Sequence, residues 1–260
     1  PCNRYDKAYY SPTMSRYFIE VSYKGNDFAG FQVQKNAVTI QEEVEKALAV
    51  FFRSGIGLTG SSRTDAGVHA LQNFFHFDFD GHIDTGCEYN LNALLPASIA
   101  VKSIRKVRAD AHCRFDALSR QYRYTIYSRK DPFLADRAYY FPFRIELAPM
   151  CEAAGEVRGH IDFRSFAKRN TQVKTFNCTI IESSWSEVNG RIEYCVKANR
   201  FLRGMVRGLV GTMLQVGRKK ILVNEFRNII ESGDSSRVDF AVPGYGLCLE
   251  KVEFGEGYFG

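Results

Sequence analysis

Gly60-Ser61-Ser62-Arg63-Thr64-Asp65-Ala66-Gly67-Val68-His69-Ala70 is a polar, glycine-containing stretch. It lies between a short apolar segment, residues 56–59, and a strongly aromatic one. In the latter, Phe75, Phe77 and Phe79 alternate with His76, Asp78 and Asp80, the period-two pattern of a half-buried strand. The stretch therefore reads as a loop between two consecutive strands, and that reading decides the order of elements around it. Loops carried on rigid strands are where scaffolds present chemistry. This one offers a carboxylate, a guanidinium, three hydroxyls and an imidazole. The plainer alternative is a tight turn in which Asp65 bonds its own backbone, as loop aspartates commonly do.

Upstream, Tyr17, Ile19, Val21 and Tyr23 alternate with Phe18, Glu20, Ser22 and Lys24, a strand pattern. Thr39-Ile40-Gln41-Glu42 has the form of a capping box. Val44, Leu48 and Phe51/Phe52 then recur at helical spacing, so a helix is predicted that ends by Gly55. Downstream, residues 89–95 read as a helix that stops before Pro96, and residues 99–107 as a strand. The order is β-α-β-β-α-β, the split βαβ of ferredoxin-like folds.

The second half repeats it. Residues 121–128 are a strand and 149–157 a weaker helix. Residues 175–188 and 191–198 flank Asn189-Gly190, a strong hairpin signal. Residues 201–216 and 223–231 are helical, and 247–254 form a closing strand. The predicted class is α+β: two tandem ferredoxin-like βαββαβ units, residues 14–109 and 110–260, forming a mostly antiparallel sheet with a central active-site cleft. Residues 1–13 are expected to be an extension outside the fold.

The bulk properties set bounds. The chain has 260 residues, 45% of them apolar, so a sizeable core is affordable and global disorder is excluded. A formal charge of +6 is compatible with a nucleic-acid partner but does not require one. Seven scattered cysteines include no C-x-x-C pair, which suggests neither a disulfide framework nor a zinc site and fits a reducing, cytoplasmic setting. No apolar run approaches the roughly 18 residues of a membrane span. The first residues lack the apolar core of a secretory signal.

Three other stretches carry possible chemistry. Arg120-Gln121-Tyr122-Arg123-Tyr124 interleaves bases with tyrosines, which offers stacking faces and phosphate partners, or is an ordinary strand with a polar face. Residues 197–211 place Arg207 in a helix that is otherwise apolar, where a guanidinium either reaches the surface or pairs with a buried carboxylate. Gly204, Gly208 and Gly211 on the same helix would allow another segment to approach closely. Arg114, Arg129, Lys130, Lys168, Arg169, Lys174, Arg218, Lys219 and Lys220 are scattered bases that an RNA partner would need gathered on one face.

Arg63-Thr64-Asp65-Ala66-Gly67-Val68-His69-Ala70 resembles the signature loop of the TruA family of tRNA pseudouridine synthases. Further markers follow in order: Gly30-Phe31-Gln32-x-Gln34, Asn92-Ala93-Leu94-Leu95-Pro96, His112-x-Arg114-Phe115, Arg120-x-Tyr122-Arg123-Tyr124, Asp162-Phe163-x-Ser165-Phe166 and Asn199-x-Phe201-Leu202-Arg203-x-Met205-Val206-Arg207. The resemblance implies an isomerase converting uridine to pseudouridine at positions 38, 39 and 40 of the tRNA anticodon arm. It also implies a homodimer without cofactor or metal. Asp65 matches the catalytic aspartate and Tyr122 the tyrosine that packs on the target base. Arg207 matches the aspartate's partner, and Arg63 an arginine that holds the flipped nucleotide. Ser62, Gln121 and Cys248 depart from residues common in the family, away from the implied chemistry.

A carboxylate suits this reaction as nucleophile or base. A neighbouring cation would favour its charged form, which gives Arg207 a reason for its odd position. His69 is expected to be a structural hydrogen-bonding residue rather than a general acid. The rivals are an RNA-binding protein of this fold without activity, and a hydrolase of glycosidic bonds. The latter usually needs two carboxylates, and the loop supplies one.

Overall fold

The computed structural model describes residues 14–84, 86–168 and 173–259. The expected extension at 1–13, and Arg169, lie outside the described residues. The first half runs β1 (Ser15–Tyr23), α1 (Ile40–Phe52), β2 (Thr59–Gly60), β3 (His69–Phe79), α2 (Cys87–Leu94) and β4 (Ile99–Val107). The second runs β5 (Ser119–Tyr127), β6 (Tyr139–Tyr140), α3 (Leu147–Arg158), β7 (Ile180–Val188), β8 (Arg191–Ala198), α4 (Met205–Gly217), α5 (Val223–Ser232) and β9 (Leu247–Glu253).

One sheet unites them in the order β4-β1-β3-β9-β5-β8-β7, with β2 beside β3 and β6 beside β5. The order β4-β1-β3-β2 in the first half is matched by β9-β5-β8-β7 in the second. Each is the inserted-strand arrangement of a ferredoxin-like unit, so the two predicted units are present and the sheet is mostly antiparallel. The halves meet where β3 runs parallel to β9, pairing His69 with Cys248 and Ala70 with Leu249. That seam has a local cause. Strand β2 lasts only two residues and covers β3 near Phe75 and His76, leaving the edge at His69–Ala70 for β9. The seam therefore sits where the loop of residues 61–68 returns to the sheet.

The core follows from the patterning. Phe18, Ile19 and Val21 on β1, with Phe75 and Phe77 on β3, are buried, and each such side chain contributes roughly 1.5–3 kcal/mol. In α1, Thr39 caps the helix by accepting from the Glu42 amide at 3.3 Å, while the Glu42 side chain pairs with Lys46 at 2.9 Å. The elements differ from expectation mainly at their ends. Strand β7 begins at Ile180 rather than 175, because the carbonyl of Phe176 and the amide of Cys178 are bonded instead to Phe163 and Ile161, at 3.1 and 2.9 Å. Helix α4 begins at Met205 rather than 201, because Gly204 takes a left-handed φ of 75° and closes the preceding turn.

Candidate active site

The loop of residues 61–68 is held from three sides. From below, the buried Asn73 side chain accepts from Ser61 Oγ at 2.7 Å and donates at 3.0 Å both to the Ser62 carbonyl and to the Tyr23 hydroxyl. The Tyr23 hydroxyl in turn lies 2.8 Å from Thr64 Oγ1. From one flank, Gly25 packs so closely that a Cβ there would stand 2.1 Å from the Val68 carbonyl oxygen. From the other, a Cβ on Gly244 would stand 2.3 Å from the Ala66 carbonyl oxygen. His69 ties both flanks together: Nδ1 accepts from the Gly25 amide at 3.0 Å and Nε2 donates to the Tyr245 carbonyl at 3.0 Å. Burial lowers its pKa, against the pull of that carbonyl, so the imidazole stays neutral in this tautomer. His69 is thus a structural residue, as expected.

This clamp presents Asp65. Its carboxylate is half-buried, with 24% of the side chain exposed, and accepts no hydrogen bond among the described residues. Asp65 is therefore not the self-bonded aspartate of an ordinary turn. Among the described residues its one ion-pair partner is Arg207, whose Nη1 lies 3.6 Å from Oδ2. That separation is an ion pair without a hydrogen bond, so the carboxylate oxygens keep their lone pairs.

Arg207 comes from the other half of the molecule and is aimed by backbone. Its Nε donates to the Val242 carbonyl at 2.8 Å and its Nη2 to the Phe240 carbonyl at 3.4 Å. Those carbonyls belong to a strap, residues 238–246, that runs along α4. The strap comes close because Gly208 and Gly211 leave room: a Cβ on Gly211 would stand 2.2 Å from the Asp239 carbonyl oxygen. The glycines of α4 thus admit an irregular strap rather than a regular element. The same strap brings Gly244 to the Asp65 loop, so one segment positions both charges.

Tyr122 stands on β5 in the row Ala70–Leu249–Tyr122–Val196, which crosses the seam. It is buried, and its ring meets Phe201 edge-on at 5.1 Å. Burial raises the pKa of its hydroxyl, with Arg120 opposing and the Asp65 charge adding. The buried Ser62 hydroxyl sits beside that phenol without a well-formed hydrogen bond among the described residues.

Two bases on β5 are engaged within the protein. Arg120 is buried and spends its guanidinium on the carbonyls of Ala117 (3.0 Å), Asn199 (2.9 Å), Arg114 (2.6 Å) and Ser61 (3.4 Å). Arg123 pairs with Glu193 at 2.5 Å and Glu250 at 2.6 Å. The alternation of bases and tyrosines there reflects a partly buried strand with satisfied cations. Arg63, by contrast, is exposed, makes no hydrogen bond or ion pair with Asp65, Tyr122 or Arg207, and lines a separate cavity.

The residues nearest to metal-ligand spacing are His76, His112 and Cys113, whose donor atoms lie within 4.8 Å of one another. Their lone pairs and hydrogens are engaged locally. The Cys113 thiol, pushed up to about 12 by burial, faces the Thr59 carbonyl at 3.1 Å and His76 Nδ1 at 3.2 Å. His112 Nδ1 accepts from the amides of Arg114 and Phe115. With three donors and arginines 16 and 114 close by, the set fits a hydrogen-bonded cluster better than a cation site.

Three features were not singled out from the sequence: Asn73, the strap at 238–246 and the carbonyl cage of Arg120. Asn73 had a signal, an amide directly before the aromatic run of β3. Pro243-Gly244-Tyr245-Gly246 had another, two glycines around a tyrosine just before a strand. Arg120 had none, because which carbonyls converge on it is a matter of tertiary packing.

A family model described as tRNA pseudouridine synthase matches residues 153–255. The chain is 42% identical over 95% of its length to tRNA pseudouridine synthase A of Parabacteroides distasonis, covering 98% of that protein. It is 41% identical to the protein of the same name from Porphyromonas gingivalis, over 95% of this chain and all (100%) of that one. Against the Staphylococcus aureus protein of that name the identity is 36%, over 93% of this chain and 92% of that one. These full-length matches include the first half, with its Asp65 loop, that the family model leaves out, and on them the chain belongs to the tRNA pseudouridine synthase A, or TruA, family.

Proposed function

We propose that this chain is an isomerase that converts uridine to pseudouridine in tRNA, at positions 38, 39 and 40 of the anticodon stem-loop, with Asp65 as the catalytic carboxylate. The observation that carries the reading is the state of that carboxylate: half-buried, facing one guanidinium at 3.6 Å and accepting no hydrogen bond among the described residues. A carboxylate presented on a clamped loop, open to solvent and unoccupied by protein donors, is available to a ligand.

In the reaction the N1–C1′ bond of uridine breaks, the uracil turns, and C5 bonds to C1′. The C5 proton leaves and N1 gains one. Nothing is oxidised or consumed, so the chemistry asks for neither cofactor nor metal. Asp65 serves as nucleophile or base, and Arg207, 3.6 Å away, orients its carboxylate. Tyr122 packs beside the target base, and Arg63 holds the flipped nucleotide. Unstacking the base costs a few kcal/mol, and an aromatic contact returns roughly 1–3 kcal/mol of that. In this reading residues 14–109 and 110–260 are the two units, the enzyme is a cytoplasmic homodimer, and the anticodon arm crosses the seam between them. Among the described residues no helix is long and apolar enough to cross a membrane.

The test is incubation with uridine-labelled anticodon stem-loops, followed by mapping of pseudouridine, with Asp65→Ala as control. Pseudouridine at 38–40 from the wild type and none from the variant supports the reading. Release of free uracil would instead make the protein a hydrolase, and binding without either product an RNA-binding protein.

A further inference from the structure

A cavity of about 280 Å3, lined by Arg63, Arg114 and Phe115 but not by Asp65, opens beside the same loop. Three observations give it a ligand chemistry.

The first is charge. Arg63 and Arg200 both press on the guanidinium of Arg114, whose pKa is lowered by burial first and by those two cations next. None of the three has a carboxylate within 4.0 Å among the described residues, whereas Arg16, Arg123, Arg137, Arg164 and Arg227 all do. Three unneutralised guanidiniums brought together repel one another, and an anion among them removes that cost.

The second is a presented ring. Phe115 is 73% exposed, yet it is not loose. One side of it rests on the His112 ring at 4.2 Å, and its amide donates to His112 Nδ1 at 3.3 Å. The Arg114 guanidinium lies 5.7 Å from the ring centroid, so an exposed ring on a fixed backbone with a cation beside it offers a stacking platform for a nucleotide. The third is rigidity. The Arg114 carbonyl is gripped by Arg120 at 2.6 Å, so the turn that carries both Arg114 and Phe115 is built into the core. The amides of Gln32 and Gln41 complete the polar wall.

We propose that Arg63, Arg114 and Phe115 form a second nucleotide subsite, which takes a phosphodiester on the two guanidiniums and the unstacked base of a neighbour of the target uridine on the phenyl ring. The proposal rests on the RNA-modifying function proposed above. Arg63 stands two residues from Asp65 on one clamped loop, so it links the two subsites. A strand of RNA running over that loop would present its reacting nucleotide to Asp65 and the adjoining one to Phe115.

The experiment is equilibrium binding of a fluorescent anticodon stem-loop across a salt series, with steady-state pseudouridine formation measured alongside. Both use wild type, Arg114→Gln, Phe115→Ala and Phe115→Tyr, all changed at exposed positions. Arg114→Gln is expected to lower the salt slope by about one, the signature of one lost phosphate contact. Phe115→Ala is expected to weaken binding roughly 5- to 100-fold with the slope kept, as befits a lost base stack, while Phe115→Tyr binds as wild type. In turnover the losses should fall on KM, with kcat held. Wild-type affinity and slope in both Arg114→Gln and Phe115→Ala would overturn the subsite, and so would equal losses in Phe115→Ala and Phe115→Tyr. Failure of the wild type to make pseudouridine would instead strike the parent reading, so the two failures are told apart.

Discussion

Arg207 Nη1 lies 3.6 Å from Asp65 Oδ2, across the join between the two halves of the chain. The pair is close enough for the two charges to attract and too long to occupy the carboxylate oxygens with a hydrogen bond. An arginine on carbonyls of the 238–246 strap and an aspartate on a clamped loop reach this spacing only when both halves are assembled.

Replacing Arg207 by alanine should therefore lower kcat roughly 100- to 1,000-fold, the range for loss of one preorganised electrostatic partner. RNA affinity should stay near that of the wild type. Single-turnover kinetics beside equilibrium binding will show it; normal turnover by a folded Arg207→Ala protein would defeat the pairing.

Gly244→Ala tests the clamp. The new Cβ would stand 2.3 Å from the Ala66 carbonyl oxygen, so the loop must shift. Overpacking of this kind costs roughly 1–3 kcal/mol, and a displacement near 1 Å at the reacting group costs about 100-fold in rate. The expected outcome is a folded protein with a lowered melting temperature and a kcat depressed more than KM is raised.

Arg120→Ala removes the donors for four carbonyls at once. Each hydrogen bond to a charged group contributes roughly 1.5–3 kcal/mol, so a loss of at least 3 kcal/mol in urea unfolding is expected. A change under 1 kcal/mol would mean that water replaces the guanidinium freely.

His76 gives a pH signature. Burial, with the charges of His112 and Arg16 adding, lowers it from 6.5 to about 4, against Asp78 and Asp116. The folded state thus keeps it neutral while the unfolded chain takes a proton, so the unfolded state binds more protons between those values. Stability from this group is full above about 6.5 and is lost as pH falls towards 4. Urea unfolding of wild type and His76→Asn at pH 7 and pH 5 should show the wild-type advantage shrinking at the lower pH; an advantage that grows would reverse the sign.

Much of the fold was legible because its signals are local. Alternation in β1, β3 and β5, the Thr39 cap and the Asn189-Gly190 turn each act within a few residues. Segment ends were less legible. The left-handed Gly204 delays α4, and backbone bonds from Phe176 and Cys178 to Phe163 and Ile161 delay β7, since neither effect belongs to the segment it trims. Of the site, the loop and Arg207 are visible as oddities of residue type, whereas the alternation around Arg120 fits a phosphate contact or a strand's polar face equally and gives no sign that Arg120 is buried.

What the amino-acid order alone determined is the succession of two βαββαβ units and the loop carrying Asp65, because periodicity and capping are properties of neighbours along the chain. What tertiary structure decided is which distant groups meet. The β3–β9 seam, the strap on the glycines of α4, the 3.6 Å pair and the cluster of Arg63, Arg114 and Arg200 all depend on contacts between segments far apart in sequence. Charge and close packing act through space, so only the assembled fold gives those residues their roles.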